Sequence, residues 1–312
     1  QPEHLLPGVP THYATAANIG SDVVGLLVET NDGRPTKVEG NPFHGWSAGG
    51  TNAAHQAMVL DLYDPLRLTT PRKGNAPVTW EATERFCRAH FGRFASNGGD
   101  GLMVFADALP SPALERLRRR FERRYPRGRW FTYESISDDN ERAGLAASFG
   151  KPGRAVYSLD RARVVFSLDS DFLATGPESV ANSSRWAKLR NPDDYEGNMS
   201  RLYVAEAIFS LTGSNADHRL RVRTTDIPQL AFALAWELVN QGMVLRDDVK
   251  AEAKKQAETL NPDATRFIRA VADDLMARSP SVGHVQDAAA IVGRRQPPLV
   301  HALVARINKF LD

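Results

Sequence analysis

The chain has 312 residues, enough for two compact domains or one large one, and its 42% hydrophobic and 24% charged residues exclude intrinsic disorder. A net charge of +2 gives no general attraction to nucleic acid or to an anionic membrane, and a single cysteine, Cys87, excludes an intrachain disulfide. No apolar run reaches the ~18–20 residues that a bilayer span needs. The richest candidate, residues 230–239, is short and contains Glu237. The chain starts at Gln1 without a methionine or a signal-like segment, so the expectation is a removed leader or a part of a larger gene product.

In chain order, the first stretch reads as irregular up to Val23, where a short β-rich run extends to Glu29. Asn31-Asp-Gly33 is a turn signal, and Thr36-Lys-Val-Glu39 pairs back as a hairpin. Residues 40–50 are dense in turn formers, and 52–62 read as a helix stopped by Asp64-Pro65. Residues 1–75 thus form a small β-rich lobe. From 76 to 312 strands alternate with helices. Helix 79–94 starts at a Thr79 cap; Ala82 stands where a capping box wants an acid, and Glu81 and Glu84 supply the negative charge instead. Strands follow at 101–106, 129–133, 163–168, 201–207 and 288–293, with helices at 112–125, 227–241, 262–278 and 298–311. That alternation predicts an α/β fold with a mainly parallel sheet flanked by helices. Strand 288–293 is apolar on both faces and is expected in a sheet interior. Val300, Leu303, Val304, Ile307 and Leu311 give the last helix one apolar face, expected to need cover from another chain.

Several motifs invite chemistry. Gly45-Trp-Ser-Ala-Gly49 fits the nucleophile elbow of serine hydrolases, which would make Ser47 a nucleophile. The elbow needs a buried strand feeding a sharp turn, and here Pro42 and only Phe43-His44 precede it. Gly144-Leu-Ala-Ala-Ser-Phe-Gly-Lys151 approaches a phosphate loop but has one residue too many, and Pro152 replaces the Ser or Thr that binds magnesium. Asp138-Asp-Asn-Glu-Arg142 before it begins a helix rather than ending a strand. After strand 101–106 comes Asp107-Ala-Leu-Pro-Ser-Pro112, without the glycines of a dinucleotide turn. The arginine-rich helix 115–124 has Leu114, Leu117, Phe121 and Tyr125 on one face. It reads as a helix packed on the sheet with a solvated basic face, then as a docking surface for an acidic partner, and last as a nucleic-acid contact. The eight histidines lack metal-ligand spacing. Cys87, between Phe86 and Phe91, reads as a small core residue, and His218 as a loop histidine bonded to its own turn.

Gly25-Leu-Leu-Val-Glu-Thr-Asn-Asp-Gly-Arg-Pro-Thr-Lys-Val-Glu-Gly-Asn-Pro42, Leu62-Tyr-Asp-Pro-Leu-Arg-Leu68 and Thr79-Trp-Glu81 resemble the amino-terminal domain of the molybdopterin oxidoreductase family. In cluster-bearing members three cysteines precede that hairpin and a fourth follows it. Their places here fall at Ala17, Gly20 and Val24, and near Thr51 to Ala54. An iron–sulfur cluster is held by cysteine thiolates, so the resemblance comes without a cluster. Gln1-Pro-Glu-His-Leu-Leu-Pro-Gly8, Tyr13-Ala-Thr15, Ser167-Leu-Asp-Ser-Asp-Phe-Leu173, Thr212-Gly-Ser-Asn-Ala-Asp-His-Arg219 and Gln296-Pro-Pro-Leu-Val-His-Ala302 resemble more narrowly the molybdopterin-oxidoreductase-like iron–sulfur subunit of alternative complex III.

That resemblance implies a cofactor-less, non-catalytic structural subunit or segment of a membrane-associated, quinol-oxidising respiratory or photosynthetic electron-transfer complex. It implies no catalytic, cofactor-binding or metal residue in this chain. Iron–sulfur clusters and haems belong to the partners: a ferredoxin-like iron–sulfur part, a multihaem cytochrome and a quinol-binding membrane subunit. Export through a twin-arginine leader to the periplasmic face of a bacterial membrane is implied as well. The family subunit continues past the point matching Asp312, so a split gene or a segment is expected. Two other readings stand beside it: a serine hydrolase using Ser47, and a cluster-less molybdopterin enzyme. Against the latter, Leu168-Asp-Ser-Asp-Phe172 lacks the glycines that let a backbone approach a pterin phosphate.

Overall fold

Strand β1 (Thr11–Ile19) pairs antiparallel with β2 (Asp22–Asn31), and β2 with β3 (Arg34–Gly40). The computed structural model describes residues 6–19, 22–108, 111–176, 178–194, 199–277 and 287–312. The β2–β3 turn has positive φ at both Asp32 (49°) and Gly33 (79°), the backbone a two-residue hairpin prefers, because its twist matches that of the strands. β1 escapes a reading by pattern, since Thr-His-Tyr-Ala-Thr shows no apolar alternation; pairing with β2 makes it a strand.

Helix α1 (Ala53–Asp61) follows, its Asn52 cap accepting the His55 amide at 3.0 Å. β4 (Arg72–Lys73) and β5 (Ala76–Pro77) make a minimal hairpin. Helix α2 (Trp80–Gly92) starts where expected, with the Thr79 hydroxyl accepting the Ala82 amide at 3.2 Å. Then β6 (Met103–Asp107), α3 (Pro112–Arg124) and β7 (Arg129–Tyr133) form a βαβ element with β6 and β7 parallel. Phe121 of α3 meets Trp130 edge-on at 5.7 Å, so α3 covers one face of the pair. On the other face Met103, Phe105, Phe131 and Tyr133 are exposed.

The chain divides into two compact units, Gln1–Ser135 and Ile136–Asp312. The sequence texture changes at 75 instead. The reason for the difference is that β6 and β7 pair with each other, as a sheet of their own, within the first unit.

In the second unit come α4 (Asp139–Phe149), β8 (Val164–Leu168), α5 (Ser179–Lys188), β9 (Arg201–Glu206), the short α6 (Leu211–Ser214) and β10 (His218–Arg221). Helices α7 (Ile227–Asn240), α8 (Asp247–Glu258) and α9 (Pro262–Leu275), strand β11 (Ala288–Val292) and helix α10 (Pro298–Leu311) complete it. The expected end of α9 at Arg278 lies outside the described residues. All four strands are parallel, in the order β10-β9-β8-β11. β8 is buried along its whole length, as a central strand covered on both faces must be. One face carries Phe166 and Leu168 against Leu230, Leu234, Ile268 and Ile307; the other carries Val165, Leu202 and Ile291 against Leu159 and Trp186. Each such side chain stabilises the fold by about 1.5–3 kcal/mol on burial. The α/β fold expected from the sequence is therefore the one observed.

Two expectations need correction. β11 is an edge strand of the four-stranded sheet among the described residues, not an interior one. Its free edge is covered by Asn308 of α10, whose Oδ1 accepts the Ala290 amide and whose Nδ2 donates to the Ala290 carbonyl, each at 2.8 Å. The apolar face of α10 needs no second chain, because Val300, Leu303, Val304, Ile307 and Leu311 are already buried in the unit's own core.

Candidate functional site

The loop bearing Ser47 is tied to the hairpin beneath it. The Asn41 carbonyl accepts the amides of His44 and Gly49, and the Asn41 amide donates to Gly25. His44 sits on Gly25, where an added Cβ would lie 2.4 Å from its ring, and the Gly49 carbonyl presses on Gly40. Ser47 and His44 do come together, with Oγ 2.8 Å from Nδ1. Yet Ser47 is 0% exposed, the positive φ falls on Ala48 rather than on the serine, and β3 ends at Gly40 instead of running directly into the turn. A nucleophile must reach its substrate, so this contact is a turn clasp and not an elbow.

Of the places where cluster cysteines would stand, Ala17 and Val24 face each other across the β1–β2 ladder and Thr51 to Ala54 lead into α1. Gly20 lies outside the described residues. Cys87 is half-buried on α2. Among the described residues no group of three or more His, Cys, Asp or Glu is placed to hold a metal ion. His218 begins β10 and stacks on Tyr203 at 4.8 Å, a strand position instead of the expected loop. Gly144 lies inside α4, where a side chain would strike His301, and Gly150 ends that helix with φ 75°. The phosphate-loop look of that stretch is a helix and its cap.

The second unit has one location that its topology makes special. β9 and β10 lie on one side of β8 and β11 on the other, so the strand order reverses between β8 and β11. In doubly wound sheets ligands bind outside the carboxyl ends of the strands at that point. A cleft of about 450 Å³ opens there, lined by Glu141, Asp169, Asp171, Glu178, Glu206 and Arg294 among others. Asp169, just after β8, has φ 57°, and the Gly293 amide donates to the Leu168 carbonyl at 2.8 Å. A Cβ at Gly293 would lie 2.0 Å from the Asp169 carbonyl oxygen, so glycine is required where the two strand ends meet.

Each carboxylate in the cleft has a donor from its own chain. Asp171 Oδ1 accepts the Thr212 amide (2.9 Å) and hydroxyl (2.8 Å). Glu206 accepts the Ser210 amide at 3.3 Å, the Ser210 hydroxyl, and Arg219 Nε at 2.6 Å. Glu178 Oε1 lies 2.9 Å from Arg154 Nη1, and Asp169 Oδ2 accepts Gln296 Nε2 at 3.0 Å. Glu141 takes the Ala155 amide at 2.8 Å. Burial raises the Glu141 carboxyl above its ordinary value, and the negative charge of Glu178 adds to this. The motif Thr212 to Arg219 thereby gains a physical reading: Thr212 holds Asp171, Gly213 makes room for Glu206, Asp217 takes the Leu202 amide at 2.7 Å, and Arg219 pairs with Glu206.

No protein-family model matches the chain. The "Menaquinone reductase, molybdopterin-binding-like subunit" of Nitratidesulfovibrio vulgaris (strain Hildenborough) is 24% identical over 242 residues, covering 76% of this chain and 34% of that subunit. Acetylene hydratase from Pelobacter acetylenicus superposes with a TM-score of 0.64 at 14% identity, over 92% of this chain and 41% of its own. The fold is molybdopterin-oxidoreductase-like. The chain spans about a third of the length of the curated relative it matches.

A fold of this kind raises the question of a molybdopterin at the switch point. The residues there do not suit its phosphate. Amides at the start of α6, which would face a phosphate, already donate to Asp171 and Glu206, and Glu178 stands at the amino terminus of α5. Bringing further negative charge beside these carboxylates is electrostatically unfavourable. Sequence reasoning noticed Asp169 and Asp171 but missed Glu141, Glu178, Glu206 and Arg294. The one signal available was Glu206 itself, a carboxylate following the apolar run Leu202-Tyr-Val-Ala205.

Proposed function

We propose that this chain is a non-catalytic structural subunit, or a segment of one, in a membrane-associated, quinone-linked electron-transfer complex. The observation that carries the reading is the switch-point crevice, whose anion-binding amides are taken by Asp171 and Glu206. A scaffold keeps such a fold for its surfaces, and self-satisfied carboxylates make the crevice part of the scaffold. The similarity to a molybdopterin-binding-like menaquinone reductase subunit supports the quinone-linked setting. In its finer form the complex is quinol-oxidising and of the alternative complex III kind. A ferredoxin-like iron–sulfur part, a multihaem cytochrome and a quinol-binding membrane subunit are its partners, and the chain lies peripherally on the periplasmic face. Among the described residues no helix is long and apolar enough to cross a membrane; in this proposal the partners hold the chain there. The chain itself carries neither pterin nor cluster.

The test is affinity purification of the tagged chain from native membranes in mild detergent. Haem-bearing and iron–sulfur chains should co-purify, and after their removal this chain should hold no molybdenum, iron or pterin fluorescence. Stoichiometric molybdenum retained by the separated chain would overturn the cofactor-less reading. Recovery of the chain alone from membranes would overturn the scaffold.

A further inference from the structure

Helix α3 has thirteen residues, Pro-Ala-Leu-Glu-Arg-Leu-Arg-Arg-Arg-Phe-Glu-Arg-Arg, six of them arginine. Their placement around the helix is not uniform. At 3.6 residues per turn, Arg116, Arg120, Arg123 and Arg124 fall within a sector of about 100° and along about 12 Å of axis. Leu114, Phe121 and Tyr125 occupy the opposite side, where Phe121 meets Trp130. The two glutamates lie on one flank and are used there: Glu115 pairs with Arg119 at 3.1 Å and Glu122 with Arg118 at 3.0 Å. The four stripe arginines are exposed, and none of them has a carboxylate within ion-pair distance among the described residues. Like charges at i and i+4, as in Arg116/Arg120 and Arg120/Arg124, destabilise a helix. With a net charge of only +2 on the whole chain, the stripe is a local concentration and not part of a general basic surface.

We infer that this stripe is a docking surface for the acidic face of a partner protein. Arginine's planar fork matches carboxylates in two-point contact, and four forks in line suit a run of Asp or Glu side chains. Leu117 borders the stripe and is 53% exposed, which gives the partner an apolar anchor beside the charges. Single-stranded nucleic-acid surfaces instead interleave free aromatic rings for stacking; α3 itself has no aromatic in this sector, and the ring beside it, Tyr125, lies under the Arg124 guanidinium at 5.8 Å. The inference rests on the scaffold reading, since a scaffold is defined by what it docks.

The test uses the full chain and the triple variant Arg116→Gln, Arg120→Gln, Arg123→Gln, with circular dichroism and thermal unfolding to show that both are folded. The probe is a short amidated helical peptide with glutamates at i, i+4 spacing and one leucine; its glutamine analogue, an oligothymidylate and phosphatidylglycerol vesicles serve as comparisons. The glutamate peptide should bind saturably and weaken with salt, and both the triple variant and the glutamine analogue should bind about tenfold more weakly or worse. Equal binding by the triple variant, or tighter binding of oligothymidylate or vesicles than of the peptide, would sink the inference. In native membranes the same variant should lose a co-purifying subunit. If wild-type chain recovers no subunit while the peptide still binds, the scaffold reading fails and the stripe stands; the converse result removes the stripe alone.

Discussion

His301 is a titratable residue held away from water. It is buried on α10, its Nε2 has no hydrogen-bond partner, and burial pushes its pKa down to about 4 against backbone hydrogen bonds with Arg294, Gln296 and Gly293. The unfolded imidazole protonates near 6.5, so between the two values the unfolded chain takes up more protons than the native one. Stability is thus intact above about pH 6.5 and is lost as pH falls toward 4, by on the order of 2–3 kcal/mol. Urea unfolding at stepped pH should show this slope, and His301→Gln should flatten it; an unchanged slope in the variant would refute the assignment. Gly25 gives a steric counterpart. Its missing side chain leaves room for His44, so Gly25→Ala should destabilise by about 1–3 kcal/mol, as overpacking does. Gly45→Ala in the same loop meets nothing within 4 Å and should be nearly neutral in the same denaturant titration.

Among the elements, the β11–α10 pair shows how an edge strand is kept from pairing with another chain. β11 is apolar and would otherwise offer a free strand edge, the usual template for aggregation. The Asn308 amide occupies both groups of Ala290 as a neighbouring strand would. Asn308→Leu leaves a buried N–H and C=O unpaired and should cost about 2–4 kcal/mol. Asn308→Asp keeps only the acceptor and should fall between. Hydrogen exchange at the Ala290 amide checks the mechanism: it should accelerate in the leucine variant more than amides on β9 do.

For the whole molecule, the two units differ in how fully they bury their apolar residues. In Ile136–Asp312 the sheet is sandwiched between α7, α9 and α10 on one face and the Leu159–Trp186 cluster on the other. In the first unit the β6–β7 sheet has two strands and leaves Met103, Phe105, Phe131 and Tyr133 exposed, although parallel strands ordinarily need cover on both faces. Expressed separately, residues 136–312 should unfold cooperatively as a monomer, whereas residues 1–135 should self-associate and bind a hydrophobic dye. Light scattering after size exclusion decides this; a monodisperse, dye-silent 1–135 would refute it.

Periodicity determined most of the elements directly. The run Val164-Val-Phe-Ser-Leu168, the Thr79 cap and the Asn31-Asp-Gly33 turn each contain their own physical reason, because local backbone preference and burial pattern agree. β1 and β10 had no such signal, for a strand without apolar alternation is made by the neighbour it bonds to. The parallel α/β architecture was legible, but strand order was not. Nothing in Ala288–Val292 tells that it lies at an edge, since Asn308, sixteen residues beyond, supplies the missing partner. The crevice is the strongest case. Glu141, Asp171 and Glu206 are far apart in sequence, and only Glu206, closing β9, stands out by itself. Parallel pairing of β8 with β9 sets Asp171 and Glu206 near each other, and the crossover that puts β11 beside β8 opens the crevice they line with Glu141, where their charges bear on what the fold binds.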